Sequence, residues 1–262
     1  MTKYKVIFLD VDGTILRPNH TIEDSTKRAI SQLQEKGIEV FLATGRPLHE
    51  IDELAKELNI HSFIGYNGAY ATYKGEDLFQ TPMDELMVSH FITVAKEHHH
   101  EIVMYTNEKN VFTNLHSPIT QGFINNFLLH KNDYFSPSDI HLVLGMTLMN
   151  LTEDDVDLYE NAGGIHLSQV HLEGLKHCYD VIMDNVNKGY GVQMVLKHLG
   201  IEKEGSIAFG DGMNDKEMLM TVGEGFAMGN GHPDLFQYAK YRTTEVTNSG
   251  IFNGLKKLGL VQ

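Results

Sequence analysis

The fold is decided by VIFLDVDGT, residues 6–14, in which four apolar residues lead into two aspartates and a glycine. A continuous apolar run that ends in turn residues predicts a strand buried on both faces, as in a parallel sheet. Because side chains alternate along an extended chain, Asp10 and Asp12 are expected on one side, with Val11 turned away. Two carboxylates after a buried strand favour a bound cation. A simple turn that uses Asp and Gly for its geometry is the alternative, and this stretch alone leaves both open.

The alternation of strand and helix patterns continues after Thr14 and returns late in the chain. The predicted segments are a helix over 23–36, a strand over 40–43, a helix from Pro47 to Leu58, a strand over 63–64, a helix over 189–199, and strands over 207–209 and 226–228. Strands that alternate with helices indicate a doubly wound α/β core with a parallel sheet.

The middle of the chain does not follow this alternation of strand and helix. An α+β region is indicated by segments of alternating apolar and polar residues, by a long strand-like stretch over 140–151 and by two helical patterns. We therefore predict a core domain built from 1–82 and 186–262, with an inserted α+β domain over 83–185.

A second acidic cluster, Gly210-Asp211-Gly212-Met213-Asn214-Asp215, follows the late strand in the same way as the first. The carboxyl ends of strands in an open α/β sheet are where ligands bind. Acids from two such strand ends would repel each other without a cation. The alternative is a plain loop in which Asn214 or Asp215 caps the next helix.

Bulk properties limit the classes of partner. The chain has 262 residues and a net charge of −14, which argues against nucleic acid because phosphate backbones are bound by clustered Lys and Arg. There is no apolar run long enough for a membrane helix, and no signal-like cleavage pattern follows Met1. A single cysteine, Cys178, fits a reducing compartment, so we expect a cytoplasmic protein.

The triplet His98-His99-His100 is predicted to be a solvated helix end and not a metal site.

Four segments resemble the motifs of the haloacid dehalogenase superfamily, and within it the Cof-type phosphatases. Residues 10–14 look like the first motif, Ala43-Thr44-Gly45-Arg46 looks like the second, Lys188 looks like the third-motif lysine, and 210–215 match the fourth. The inserted region agrees with the large α/β cap of that subgroup. The resemblance covers essentially the whole chain and implies a Rossmann-like core with an inserted cap.

The resemblance, together with the needs of phosphoryl transfer, implies a role for each motif. Asp10 is the expected nucleophile, and Asp12 the expected acid and base. The expected magnesium ligands are Asp10, Asp211 and the main-chain carbonyl of Asp12. The groups expected to bind the phosphoryl group are Thr44, Gly45, Lys188 and Asn214. Asp215 is expected to hold the site residues in place without contacting the substrate. Arg46 is left open between a phosphate ligand and a structural ion pair.

The predicted function is therefore a Mg²⁺-dependent phosphatase that acts on small phosphate monoesters, such as sugar phosphates or phosphorylated cofactors, through an aspartyl phosphate. A phosphosugar mutase of the same superfamily would keep the same motifs, and a non-catalytic sensor of phosphometabolites is a further alternative. The sequence indicates no obligate protein partner, nucleic acid or membrane.

Overall fold

The structure is a computed structural model, and it describes residues 3–160, 163–170 and 174–262. The chain divides into two compact units. The larger unit contains Met1–Arg46, Asp52–Phe79 and Asn187–Gln262, and the smaller unit contains Pro47–Ile51 and Gln80–Val186.

Strands and helices alternate in the early and late parts of the chain, as predicted. The strands of the described residues are β1 (Val6–Leu9), β2 (Glu39–Ala43), β3 (Phe63–Gly65), β4 (Tyr70–Tyr73), β5 (Glu76–Gln80), β6 (Glu101–Tyr105), β7 (Asn110–Phe112), β8 (Asn132–Tyr134), β9 (Gly145–Met149), β10 (Ile165–Gln169), β11 (Cys178–Met183), β12 (Ser206–Gly210), β13 (Glu224–Ala227) and β14 (Tyr241–Arg242). The α-helices are α1 (Asp24–Glu35), α2 (Asp52–Leu58), α3 (Glu85–His98), α4 (Pro118–Phe127), α5 (Asp157–Glu160), α6 (Lys188–Leu199), α7 (Lys216–Thr221) and α8 (Gly250–Lys257).

The larger unit is built on one sheet with the strand order β14-β13-β12-β1-β2-β3-β4-β5. The strands from β14 to β3 pair in parallel, and β4 turns back antiparallel to β3. Every residue of β1 and β12 is buried, as the uninterrupted apolar runs predict. The predicted doubly wound α/β class is confirmed, with β1 and β12 paired at the centre of the sheet.

Helices cover both faces of this sheet. On one face, α6 and α7 join a cluster that includes Val6 and Phe8 of β1. On the other, α8 packs so closely against Phe209 of β12 that a Cβ at Gly254 would lie 2.5 Å from its ring. The helix α1 contacts α8 and β2, and it buries the stripe that contains Ala29, Ile30 and Leu33. Burial on both sides is what a parallel sheet requires.

The smaller unit has a sheet with the strand order β10-β11-β9-β6-β7-β8. All its pairings are antiparallel except β7 with β8. One face packs against α3, through Val88 and Phe91, and the other packs in part against α4, through Phe123. The α+β character predicted for the middle of the chain is present.

Two predicted elements are wrong in detail. The helix expected from Pro47 begins at Asp52, and only a single 3₁₀ turn over Leu48–Glu50 precedes it. The side chains of that turn bond within the smaller unit, where His49 Nε2 lies 3.0 Å from Asn110 Oδ1. The strand expected over 140–151 is shorter, because Pro137–Leu142 forms a 3₁₀ turn capped by Ser136 and β9 starts only at Gly145.

The histidine triplet is only partly a solvated helix end. His98 and His99 are exposed at the end of α3, where His99 takes the left-handed conformation that ends the helix. His100 is buried, and its Nδ1 lies 2.8 Å from the hydroxyl oxygen of Tyr159. Sequence spacing alone gave no sign of that partner.

In the ranges that the structure describes, no helix is both long enough and apolar enough to span a membrane.

Candidate active site

Three predicted site residues follow neighbouring strands at the carboxyl edge of the larger unit's sheet. Asp10 follows β1, Thr44 follows β2 and Asp211 follows β12. The backbone N–H of Asp10 donates to the carbonyl of Phe209, so the first acidic loop starts beside the second. The parallel arrangement thus brings together residues that are about 200 apart in the sequence, as the strand-end patterns predict.

A buried lysine joins the two acidic loops. Lys188, the first residue of α6, is fully buried, and its Nζ lies 2.5 Å from Asp10 Oδ1 and 2.6 Å from Asp215 Oδ1. Burial lowers the pKa of Lys188, but Asp10 and Asp215 outweigh it and leave the pKa above the ordinary value. Lys188 is therefore a fixed positive charge beside Asp10, the predicted nucleophile.

Asp215 also shapes the loop of Asp211. Its second oxygen, Oδ2, accepts from the backbone N–H groups of Asp211 at 2.9 Å and Gly212 at 3.0 Å. With one oxygen on Lys188 and the other on two amides, this buried carboxylate is fully occupied. It holds the loop in place.

The carboxylates of Asp10, Asp211 and Asp215 form a tight group. One oxygen from each lies within 4.8 Å of the others. Asp10 Oδ2 is buried and has no hydrogen-bond donor among the described residues. Three carboxylates face one ammonium group, so the cluster carries an excess of negative charge that a cation would neutralise. Oxygen ligands of this type suit a hard divalent ion.

The acid–base state of the cluster reflects that excess. Burial, and then the charge of Asp215, raise the pKa of Asp10 well above its ordinary value, and Lys188 offsets only part of the rise. Burial and Asp215 likewise raise the pKa of Asp211 to about 6. A cation bound between them would favour the ionised forms that a nucleophile and a metal ligand need.

Close backbone approach at Gly13 allows the two loops to meet. Gly13 has φ of 81°, and a Cβ there would lie 2.1 Å from Asp211 Oδ2. Asn230, after β13, donates from Nδ2 to the Gly13 carbonyl at 2.8 Å and to Asp211 Oδ2 at 3.3 Å. Asn230 is not among the site residues predicted from the sequence. Its place after another strand of the same parallel sheet was the signal that pointed to this edge.

The second-motif loop has a different set of partners. Thr44 is buried, and its Oγ1 accepts from the Arg46 backbone N–H at 3.0 Å, which leaves its own proton free to donate. Thr44 and Gly45 do not directly precede an α-helix, because the helix predicted from Pro47 begins only at Asp52. The Asn67 N–H donates to the Thr44 carbonyl, and a Cβ at Gly45 would lie 3.0 Å from the Asn67 side chain.

The turn between β3 and β4 connects this loop to the start of α6. Tyr66, Asn67 and Gly68 have φ values of 53°, 51° and 102°. A Cβ at Gly68 would lie 2.0 Å from the Asn187 carbonyl, so only glycine fits beside the residue that precedes Lys188. Asn214, which is exposed, donates from Nδ2 to Asn67 Oδ1 at 3.2 Å and does not join the carboxylate group.

The side chain of Asp12 is turned toward Arg46. Arg46 Nε lies 2.8 Å from Asp12 Oδ2, and Nη2 lies 2.6 Å from Oδ1. Of the two roles left open for Arg46, the structure shows the ion pair. The Asp12 carboxylate is therefore not part of the group formed by Asp10, Asp211 and Asp215, and the predicted metal ligand at this residue is its main-chain carbonyl. A cavity of about 490 Å³ borders Asp12 and Asp211.

Comparison with known proteins identifies the family. The model for haloacid dehalogenase-like hydrolases matches residues 7–255. The chain belongs to the haloacid dehalogenase-like hydrolase family. This confirms the resemblance drawn from the motifs.

Individual relatives match over nearly the full length of the chain. The putative phosphatase YkrA of Bacillus subtilis (strain 168) is 30% identical, over 98% of this hydrolase and 99% of that protein. The 5-amino-6-(5-phospho-D-ribitylamino)uracil phosphatase YitU of the same organism is 27% identical, over 98% of each chain. The crystal structure of a hypothetical protein from Geobacillus kaustophilus HTA426 matches with a TM-score of 0.90 and 30% identity, covering 98% of this chain and 100% of that one. This hydrolase is a phosphatase of the haloacid dehalogenase type, a phosphoric monoester hydrolase.

Proposed function

We propose that this hydrolase is a Mg²⁺-dependent phosphatase that cleaves small phosphate monoesters through a phosphoryl group carried on Asp10. The observation that carries the proposal is the environment of the Asp10 carboxylate. One oxygen is held by Lys188, while the other is buried without a donor and faces the carboxylates of Asp211 and Asp215. Such a group needs a cation, and its position at a strand end suits it to attack a bound ester.

The proposed reaction has two in-line transfers. An Asp10 oxygen attacks phosphorus, the bond from phosphorus to the ester oxygen breaks, and Asp12 gives that oxygen its proton as the alcohol leaves. Asp12 then takes a proton from water, whose oxygen attacks phosphorus and breaks the bond to Asp10. Inorganic phosphate leaves and both aspartates return to their starting state. A carboxylate nucleophile divides one difficult step into two easier ones.

The other residues would bind and orient the phosphoryl group. Lys188 supplies a fixed positive charge, and Thr44 has a hydroxyl proton free to donate. Gly45 offers a backbone N–H, and Asn214 an exposed side-chain amide. Mg²⁺ held by Asp10, Asp211 and the Asp12 carbonyl would neutralise charge that otherwise keeps a dianionic ester from a carboxylate.

The proposed substrates are small phosphorylated metabolites. The relative YitU is named for a substrate that carries its phosphate on a ribityl chain, an ester of a primary alcohol. A similar ester of a sugar or sugar alcohol is the substrate class that we propose here.

We also propose a cytoplasmic location, because the single cysteine, Cys178, is a buried free thiol and suits a reducing compartment.

The test measures phosphate release from p-nitrophenyl phosphate and from a panel of sugar phosphates. The arms are wild type with Mg²⁺, wild type with a chelator, Asp10→Asn with Mg²⁺ and Asp211→Asn with Mg²⁺. Asp154→Asn, which changes an exposed aspartate of the smaller unit, is the matched control. We expect turnover in the wild type and in the control, and a loss of at least about 10³-fold in the other three arms.

Each contrary result points to a different error. Full activity of Asp10→Asn would contradict the nucleophile assignment, and full activity with chelator would contradict the metal. Phosphate transfer to a second sugar without net release would indicate a mutase. Tight binding of phosphate esters without turnover would indicate a sensor.

A further inference from the structure

The side chain of Asn230 connects three loops of the larger unit beside the carboxylate group. Asn230 follows β13, and its Nδ2 donates to the Gly13 carbonyl, after β1, and to Asp211 Oδ2, after β12. Its Oδ1 accepts from the backbone N–H of Val246, after β14, at 2.7 Å. All four residues belong to the same compact unit. The proposed reaction gives Asn230 no role.

These partners allow only one orientation of the Asn230 amide. The Val246 N–H can only donate, so the amide atom that faces it must be the oxygen. The Gly13 carbonyl can only accept, so the amide nitrogen must face that carbonyl. The two protons on the nitrogen then serve Gly13 and the Asp211 carboxylate. The bond to Asp211 is therefore fixed by the other two bonds, and not by a choice between two flipped amides.

The two residues after Asn230 hold the backbone of Asp211. The His232 N–H donates to the Asp211 carbonyl at 2.8 Å. A Cβ at Gly231 would lie 3.0 Å from the same carbonyl oxygen and 3.2 Å from the Asp211 Cα. The turn over 230–232 thus contacts both the main chain and the carboxylate of Asp211.

The Asp211 carboxylate is weakly held from its other sides. Thr14 Oγ1 donates to Asp211 Oδ1 at 3.5 Å, which is long for a hydrogen bond between oxygens. The cavity of about 490 Å³ borders both Asp211 and Asn230, so packed side chains do not close this side of the carboxylate. The orientation of Asp211 therefore depends on hydrogen bonds more than on packing, and Asn230 supplies one of them.

We propose that Asn230 is a positioning residue for the divalent cation: it holds the Asp211 carboxylate and the loop over 10–14 at the separation that binding of the cation requires. The inference rests on the proposed function, because it concerns the cation of that phosphatase. Groups that hydrogen-bond to metal-binding carboxylates orient them, and loss of such a partner typically lowers metal affinity about 10–100-fold. Because the amide is neutral, its removal changes this orientation without changing the charge of the site.

The test measures Mg²⁺ binding itself, by calorimetric titration of the metal-free protein without substrate. The arms are wild type, Asn230→Ala and Asp211→Asn. Asn253→Ala is the matched control, because Asn253 is also exposed and its amide also ties down a loop, at Thr244 Oγ1 and the Asn248 carbonyl. We expect Asn230→Ala to raise the dissociation constant of Mg²⁺ at least about tenfold, and Asn253→Ala to change it less than about twofold.

Two features of the experiment separate positioning from a general loss of structure. An unfolded fraction lowers the number of Mg²⁺ ions bound per chain but leaves the dissociation constant of the folded fraction unchanged. In Asn230→Ala, the Mg²⁺ concentration that gives half-maximal hydrolysis of p-nitrophenyl phosphate should rise by the same factor as the dissociation constant. Excess Mg²⁺ should then restore kcat to within about threefold of the wild type.

The outcomes separate this inference from the proposed function. If the wild type binds Mg²⁺ and Asp211→Asn does not, but Asn230→Ala binds it with wild-type affinity, the inference fails and the phosphatase proposal stands. A loss of kcat in Asn230→Ala that excess Mg²⁺ does not restore, at unchanged affinity, would also overturn the inference. A wild type that binds no Mg²⁺ would contradict the metal of the proposed function, and the inference would fall with it.

Discussion

Arg46 occupies both carboxylate oxygens of Asp12, through Nε at 2.8 Å and Nη2 at 2.6 Å. Asp12 is also the residue proposed to give a proton to the leaving alcohol. Each oxygen keeps a second lone pair, so Asp12 can carry a proton while Arg46 holds the carboxyl group. The pair therefore holds the proposed acid in a defined position.

Replacement of Arg46 by alanine should separate good leaving groups from poor ones. An oriented Asp12 matters most when the departing alkoxide is basic, because general acid catalysis contributes about 10²–10⁴-fold there. We expect kcat/KM to fall about tenfold for sugar phosphates and less than about threefold for p-nitrophenyl phosphate. Arg28→Ala, at an exposed position of α1, is the control. Equal losses with both substrates would show that Arg46 acts on binding and not through Asp12.

Lys188→Met should destabilise the larger unit as well as inactivate it. The change leaves the buried carboxylates of Asp10 and Asp215 without their cation, and such a loss typically costs about 3–5 kcal/mol. Lys240→Met removes a partly exposed lysine from Glu224, so it should cost no more than about 1 kcal/mol. Urea unfolding without Mg²⁺ measures both. Equal midpoints for Lys188→Met and wild type would mean that the buried pair contributes little.

His100 should make the stability of the smaller unit depend on pH. Burial lowers the pKa of His100 below the ordinary 6.5, although Asp155 opposes the shift. The neutral form is thus favoured in the folded state, so its contribution is complete above pH 6.5 and is lost as the pH falls below that value. Thermal melting at about pH 7.5 and about pH 5.5 should show a smaller pH effect in His100→Gln than in the wild type. His90→Gln, at an exposed position of α3, should melt with the wild-type pH dependence. A pH effect in His100→Gln as large as in the wild type would contradict the account.

The single thiol should be unreactive in the folded protein. Cys178 is fully buried in the apolar cluster next to Phe123, and burial, followed by the charge of Asp180, raises its pKa to about 12. Since the thiolate is the reactive form, iodoacetamide should label Cys178 only after denaturation. Mass spectrometry with and without guanidinium checks this. Rapid labelling of the native protein would indicate that α4 opens from the sheet.

The parts of the site that could be predicted from sequence are those fixed by strand ends. Asp10 and Asp211 each follow an uninterrupted apolar run, and parallel strands bring such positions to one edge. Lys188 was tied to them only by the family motif, because nothing in its local sequence shows that it is buried between two carboxylates. Its position depends on α6 and on the close approach at Gly68, which are tertiary features.

The features missed by sequence reasoning depend on distant partners. The helix expected from Pro47 had a good apolar stripe, yet His49 and Glu50 bond to Asn110, 60 residues away, and a 3₁₀ turn replaces the first turns. In the sequence, His100 belongs to a polar triplet that is typical of an exposed helix end. Its burial depends on Tyr159, which lies 59 residues further along the chain and bonds to its ring. Asp180 lies in an ordinary strand pattern, and only the pairing of β9 with β11 brings the Thr147 hydroxyl within 2.6 Å of its Oδ1.

The measurement that tests the central claim most directly is chemical trapping of the phosphorylated residue. The protein is mixed with Mg²⁺ and a slowly cleaved sugar phosphate, denatured with acid and reduced with borohydride, which converts an aspartyl phosphate to homoserine. Peptide mass spectrometry then reads each aspartate. The account predicts conversion at Asp10 that depends on both substrate and Mg²⁺, with Asp12, Asp211 and Asp215 unchanged. Turnover of the same substrate with no conversion at Asp10, or with conversion at another aspartate, would contradict it.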